Sequence, residues 1–232
     1  MTQPASVAGD PRFPGFPPEV PFPPQPDPGR PAYPPVPMVP MPSSTPSPAD
    51  DLRSRVYDDL LARRTVVLDR ALDGETATLV AAQLMALDAE GDQAMTLVVN
   101  SPGGPLDAAA AVLDTIDLVR GPLDTTCLGR ADGTAAVVAA SGTGRRRMGA
   151  GARVRLRLAD LELTGPASRL DDDLARHRDL QAALVDRLVA ITGQERRLVE
   201  RDVETGRTLS AAEAVDYGLA DEVIGHSPKL RS

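Results

Sequence analysis

Apolar residues recur along this chain with two alternating periods. Thr65-Val66-Val67-Leu68 is a short β-branched run that predicts a core strand. After Asp73, which offers an N-cap, Val80, Leu84 and Leu87 recur at i, i+4 and i+7, and Gly91 closes the predicted helix. Thr96-Leu97-Val98-Val99 reads as a buried strand that stops at Asn100-Ser101-Pro102-Gly103-Gly104. Val112, Ile116 and Val119 share one face of a helix over Leu106–Val119, which Gly121-Pro122 ends before a further strand at Thr125–Leu128. Strands alternating with helices over short connections predict an α/β fold built on a parallel sheet with right-handed crossovers.

The second half continues the pattern with more charge. Ala135–Ala140 predicts a small apolar helix, and Ser141–Arg147 a basic turn. Arg153-Val154-Arg155-Leu156-Arg157-Leu158 alternates strictly, so three arginines line one face of a strand and three apolar side chains the other. Leu180, Leu184, Leu188 and Ile191 stripe the longest helix, Leu174–Ile191, and a helix of that length with one apolar stripe wants a partner. Ser210 and Glu213 form a capping box for a last helix closed by Gly218. Ala49–Arg63 predicts a first helix carrying Leu52, Leu60 and Leu61. Ahead of it, residues 1–50 hold most of the 23 prolines and cannot bury enough apolar surface to offset ordering entropy. A disordered proline-rich tail, one domain over 51–226 and a flexible end at 227–232 are expected.

Composition narrows the function classes. A net charge of −8 argues against nucleic acid or an anionic membrane as the main partner. The single cysteine, Cys127, excludes an internal disulfide and reads as a small buried hydrophobe inside a strand. No apolar run approaches the roughly 18 residues of a membrane span. Met1 is not followed by the basic and apolar segments of a signal peptide, so a cytoplasmic protein is expected.

Candidate chemistry gathers at the glycine turn. Two glycines after a buried strand leave amide N–H groups uncovered, and such amides are what an oxyanion hole is made from. With this turn, Gly129-Arg130-Ala131-Asp132-Gly133-Thr134-Ala135-Ala136 and the closing stretch Thr208–Asp221 make the chain resemble the ClpP family, the barrel-forming proteolytic subunit of Clp proteases, from about Arg55 to Ile224. The resemblance implies a crotonase-like spiral of ββα units with a protruding handle helix, and a Ser-His-Asp triad without cofactor or metal. The family's serine lies in Gly-Gln-Ala-Ala-Ser-Met-Gly-Ala, which puts Gly133 at the nucleophile position. Arg157 matches the histidine. Counting back from Thr192-Gly193-Gln194 puts the acid at Arg169, with Asp171 or Asp172 as alternatives. The oxyanion donors match the amides of Gly104 and Thr134.

Glycine has no side chain to acylate, and arginine stays charged at physiological pH and cannot act as a general base. The expectation is therefore a ClpP-like subunit without peptidase activity, structural or regulatory, in homo- or hetero-oligomeric rings with ClpP-type subunits. Docking of an AAA+ unfoldase is less expected, because Thr96 and Val98 stand where the family has groove tyrosines. Two alternatives stay open: a rewired hydrolase using Thr134, and an acyl-CoA enzyme of the crotonase type with Asp107, Asp132 or Asp171–Asp173 as carboxylates. His177 and His226 read as surface histidines and Ser101 as turn chemistry. Two readings of Arg157 stay open: it pairs with Asp132 or one of Asp171–Asp173 and walls off the cleft, or it simply faces water with the other arginines of its strand.

Overall fold

The apolar runs singled out after residue 64 become strands and helices that face a common core. The computed structural model describes residues 48–158 and 167–225, with side chains from 52 to 158 and from 172 to 225. In order, the elements are α1 (Pro48–Ala62), β1 (Thr65–Leu68), α2 (Gly74–Glu90), β2 (Met95–Ser101), α3 (Leu106–Leu118), β3 (Leu123–Asp132) and α4 (Thr134–Ala140). They continue as β4 (Arg146–Gly149), β5 (Arg153–Leu156), α5 (Ala167–Thr192), α6 (Arg196–Thr205), β6 (Arg207–Ser210), α7 (Ala211–Tyr217) and β7 (Glu222–Ile224). The expected tail lies outside the described residues up to 47, as does the expected end segment 227–232.

Local chemistry sets the helix boundaries. Asp73 accepts the Thr76 N–H at 2.8 Å to start α2, and Ser210 and Glu213 form the expected capping box on α7. Leu84, Leu97, Val112 and Ile116 are fully buried in one core with Leu123 and Leu188. Leu52 is an exception at 64% exposed, so α1 packs only through its later turns.

The sheet runs β1-β2-β3-β4-β7 with all neighbours parallel, as the short crossovers predicted. β3 forks. Its first half pairs with β4 at Thr125–Cys127 and its second half with β5 at Arg130–Asp132, while β6 runs antiparallel on β5. The register against β2 explains the fork: Val99 pairs with Cys127 but Ser101 with Ala131, so β3 carries extra residues there and bends. Gly129 sits in that bend at φ 77°, where a β-carbon would come within 2.8 Å of the Asn100 side-chain oxygen.

Several expectations need correction. The basic turn ends sooner than expected, because Arg146 and Arg147 begin β4. Parallel pairing with β3 and β7 offsets the charge, since Asp221 holds Arg146 and Asp124 and Glu222 hold Arg147. The alternating strand ends at Leu156, two residues early, although its faces are as expected, with the arginines exposed and Val154, Leu156 and Leu158 buried. α5 begins at Ala167, well before Leu174. No strand or helix was expected at α6, β6 or β7. Arg187 pins α5 onto the sheet layer, meeting Asp117 of α3 through two 2.7 Å bonds and Ser141 at 2.8 Å.

Candidate functional site

The forked strand delivers the chain into a sharp turn. β3 ends at Asp132, Gly133 takes φ 58° and ψ −123°, and α4 begins at Thr134. Residues with side chains enter that region only under strain. It is the strand-to-helix elbow on which hydrolases raise a nucleophile, here without a side chain. The Gly133 N–H donates to the Arg155 carbonyl at 2.8 Å, and its carbonyl accepts from Ala136 at 3.1 Å, so the elbow is fixed from both sides.

The glycine turn after β2 closes against this elbow. A β-carbon on Gly103 would meet the Asp132 carbonyl oxygen at 2.3 Å, and one on Gly104 the Leu72 carbonyl oxygen at 2.1 Å. Only glycine permits such backbone contact. Ser101 is fully buried and does the turn work expected of it, donating to the Arg70 carbonyl at 2.6 Å and accepting the Gly103 N–H at 3.1 Å.

Thr134 changes the reading of the oxyanion positions. Its hydroxyl, 1% exposed, accepts the Gly104 N–H at 2.9 Å and donates to the Gly104 carbonyl at 3.0 Å. One of the two amides matched to an oxyanion hole is thus occupied by a side chain of the same elbow. That hydroxyl has both its proton and a lone pair engaged.

A cavity of about 250 Å³ opens beside the elbow, bounded by Gly104, Asp132, Gly133, Thr134, Arg155 and Arg157. The sequence-matched positions 104, 133, 134 and 157 therefore do converge. Arg157 follows the end of β5, and its carbonyl oxygen lies 2.5 Å from where a Gly133 β-carbon would stand. Gly206, which ends α6 at φ 69°, lies against the side chains of Arg155 and Arg157. A β-carbon there would lie 3.5 Å from Cδ of Arg157 and 3.4 Å from a guanidinium nitrogen of Arg155. The two arginine stems thus pack at the C-terminal end of α6, where the helix dipole favours cations.

Residues 49–227 match the family model for Clp protease. The chain is 35% identical over 171 residues to the ATP-dependent Clp protease proteolytic subunit 2 of Frankia casuarinae, covering 72% of this chain and 78% of that one. It is 33% identical over 179 residues to proteolytic subunit 1 of Bifidobacterium longum, covering 76% and 75%. The same figure over 175 residues relates it to subunit 1 of Mycolicibacterium paratuberculosis, covering 74% and 83%. The chain belongs to the Clp protease family.

Within this Clp protease domain the expected acid positions fare differently. The side chains of Arg169 and Asp171 lie outside the described residues, as does His226, while Asp172 is exposed on α5 and does not line the cavity. Asp132 reaches the Arg130 guanidinium at 3.7 Å. His177 sits half-buried on α5, away from the elbow's lining. Cys127 is buried within β3, the strand that leads into the elbow, and burial, helped by the Asp132 charge, pushes its thiol up to about 12. Sequence reading missed Arg155 as a lining residue of the cavity and Gly206 as a neighbour of Arg155 and Arg157. Gly206 carried a signal, standing between the helix-period run Val199, Val203 and the stretch leading to Ser210. Among the described residues no group of His, Cys, Asp and Glu is placed to hold a metal. No helix among them is long and apolar enough to cross a membrane.

Proposed function

We propose that the chain is a non-hydrolytic member of the Clp protease family that serves as a structural or regulatory subunit of a Clp-type assembly. The observation that carries this reading is the elbow itself. The strained strand-to-helix backbone is kept, yet its apex is Gly133, with the Arg157 carbonyl filling the space of a β-carbon. Catalysis by a triad needs a nucleophilic oxygen, a base and an acid in hydrogen-bonded sequence. Around this cavity the positions matched to the nucleophile and the base are Gly133 and Arg157, neither of which has the required group. In a well-studied serine protease, loss of the nucleophile alone costs about 10⁶ in turnover. The Thr134 clasp on Gly104 supports the same conclusion, because a substrate carbonyl would have to displace it. It also counts against Thr134 as a stand-in nucleophile and against a thioester held by both amides.

Assembly into rings with ClpP-type subunits follows from the kept fold. Leu79 of α2 at 57% and Leu118 of α3 at 70% exposure are apolar surface that a neighbouring subunit would cover. An AAA+ unfoldase fits less well, since Thr96 and Val98, half-buried on β2, offer no aromatic anchor. The work would be done in the cytoplasm.

The decisive test treats the purified full chain with a fluorophosphonate probe and a fluorogenic peptide. The expected result is no covalent labelling and no turnover above buffer. Labelling at any residue overturns the reading. Copurification of an active Clp subunit from the native host is expected, and its absence together with a monomeric mass removes the assembly role.

A further inference from the structure

The sheet face beside the cavity concentrates positive charge in a chain whose net charge is −8. Register places Arg130 of β3 beside Arg153 of β5, and Asp132 beside Arg155. On the other side of β5, Ser210 stands beside Arg153 and Thr208 beside Arg155. Side chains at paired positions share a face, and this one is the solvent face, because the intervening Ala131, Val154 and Leu209 are buried while the three arginines are exposed. Neighbouring strands lie about 4.8 Å apart, so Arg130 and Arg153 are like charges held side by side. Such a pair costs stability unless an anion meets it.

Among the described residues, the charged groups facing this set are few. Asp132 lies 3.7 Å from Arg130, and Glu213 at the start of α7 is near enough to feel Arg153 and Arg207, although its bonds to Ser210 dominate its environment. Arg157 borders the face at the cavity mouth. Arg155 makes no ion pair among the described residues. β6 pairs with β5 alone, so among the described residues its outer edge carries no strand. An open edge next to a cationic face suits one kind of ligand. An extended polypeptide pairs its main chain with the edge while its carboxylates meet guanidinium forks. A long polyanion such as nucleic acid gains nothing from the edge and is repelled by the rest of the surface.

We propose that the face formed by Arg130, Arg153 and Arg155, together with the outer edge of β6, binds an acidic stretch of polypeptide in extended form. This rests on the reading of the chain as an inert subunit of a proteolytic assembly, which is what brings peptides to the face.

The test is fluorescence anisotropy with the full chain and a short glutamate-rich peptide, its glutamine analogue, and a single-stranded oligonucleotide of matched charge. The expected result is that the glutamine peptide binds at least about tenfold more weakly, as does the glutamate peptide to the Arg153→Gln, Arg155→Gln double variant. The oligonucleotide is expected to bind no better than the glutamate peptide. Equal affinity for the two peptides overturns the proposal, and so does tighter binding of the oligonucleotide. An unchanged affinity in a folded double variant overturns it as well. The two-peptide comparison needs no variant and stands if the substitutions prevent folding. Mass spectrometry of the recovered peptide separates the two readings: cleavage defeats the inert subunit, whereas an intact peptide that does not bind defeats only this inference.

Discussion

A β-carbon on Gly133 would lie 2.5 Å from the carbonyl oxygen of Arg157, closer than any side chain tolerates. The space above the apex of the elbow is therefore filled by the backbone that follows β5. A serine placed there is not expected to act as a nucleophile. Gly133→Ser is expected to stay inactive toward a fluorogenic peptide and to lose about 1–3 kcal/mol of stability, seen as a lower denaturant midpoint. A variant as stable as the parent would show that the Arg157 backbone yields easily.

Thr134 holds the Gly104 amide with a buried hydroxyl. Thr134→Val keeps the shape but leaves that N–H and the Gly104 carbonyl unpaired, at an expected cost of about 1–3 kcal/mol. Amide hydrogen exchange at Gly104 is expected to speed up in the variant while exchange in β1 and β2 stays slow. Unchanged exchange at Gly104 would mean that the amide is protected by something other than this hydroxyl.

Two carboxylates that tie distant elements together contribute to the acid limit. Hydrogen bonds from the Arg187 guanidinium hold the Asp117 carboxyl below the usual range, and those from Arg146 do the same for Asp221. A lowered folded value means the contribution is complete above the unfolded carboxylate value of about 3.9 and is lost as pH falls through the depressed folded values. Urea midpoints are expected to be level near neutrality and to fall below about pH 4, with a shallower fall in Asp117→Asn and Asp221→Asn. An acid limb of identical slope in these variants would count against the assignment.

Cys127 is 2% exposed, and its thiol is pushed up to about 12, so it is inert in the folded protein. Iodoacetamide is expected to leave it unmodified under native conditions and to alkylate it fully in denaturant. Rapid native labelling would place it nearer solvent than β3 allows.

Local pattern determined much of this protein. Runs such as Thr65–Leu68 and the striped helix at Leu84, the cap at Asp73 and the box at Ser210 and Glu213 were legible because each depends on residues a few positions apart. The Asn-Ser-Pro-Gly-Gly turn and the glycine at 133 were legible for the same reason. Short segments such as β6 and β7 were not, since a strand of three or four residues exists only through a partner distant in sequence. The same holds for Arg146 and Arg147, which a turn would suit equally until Asp221, Glu222 and Asp124 arrive from elsewhere in the chain to neutralise them. Only the tertiary structure decided that the Thr134 hydroxyl closes on Gly104, that the Arg157 carbonyl fills the space over Gly133, and that Gly206 meets the Arg155 and Arg157 side chains. Those contacts join three turns separated by tens of residues, and no periodicity records which backbone atoms the bend of β3 brings within van der Waals reach.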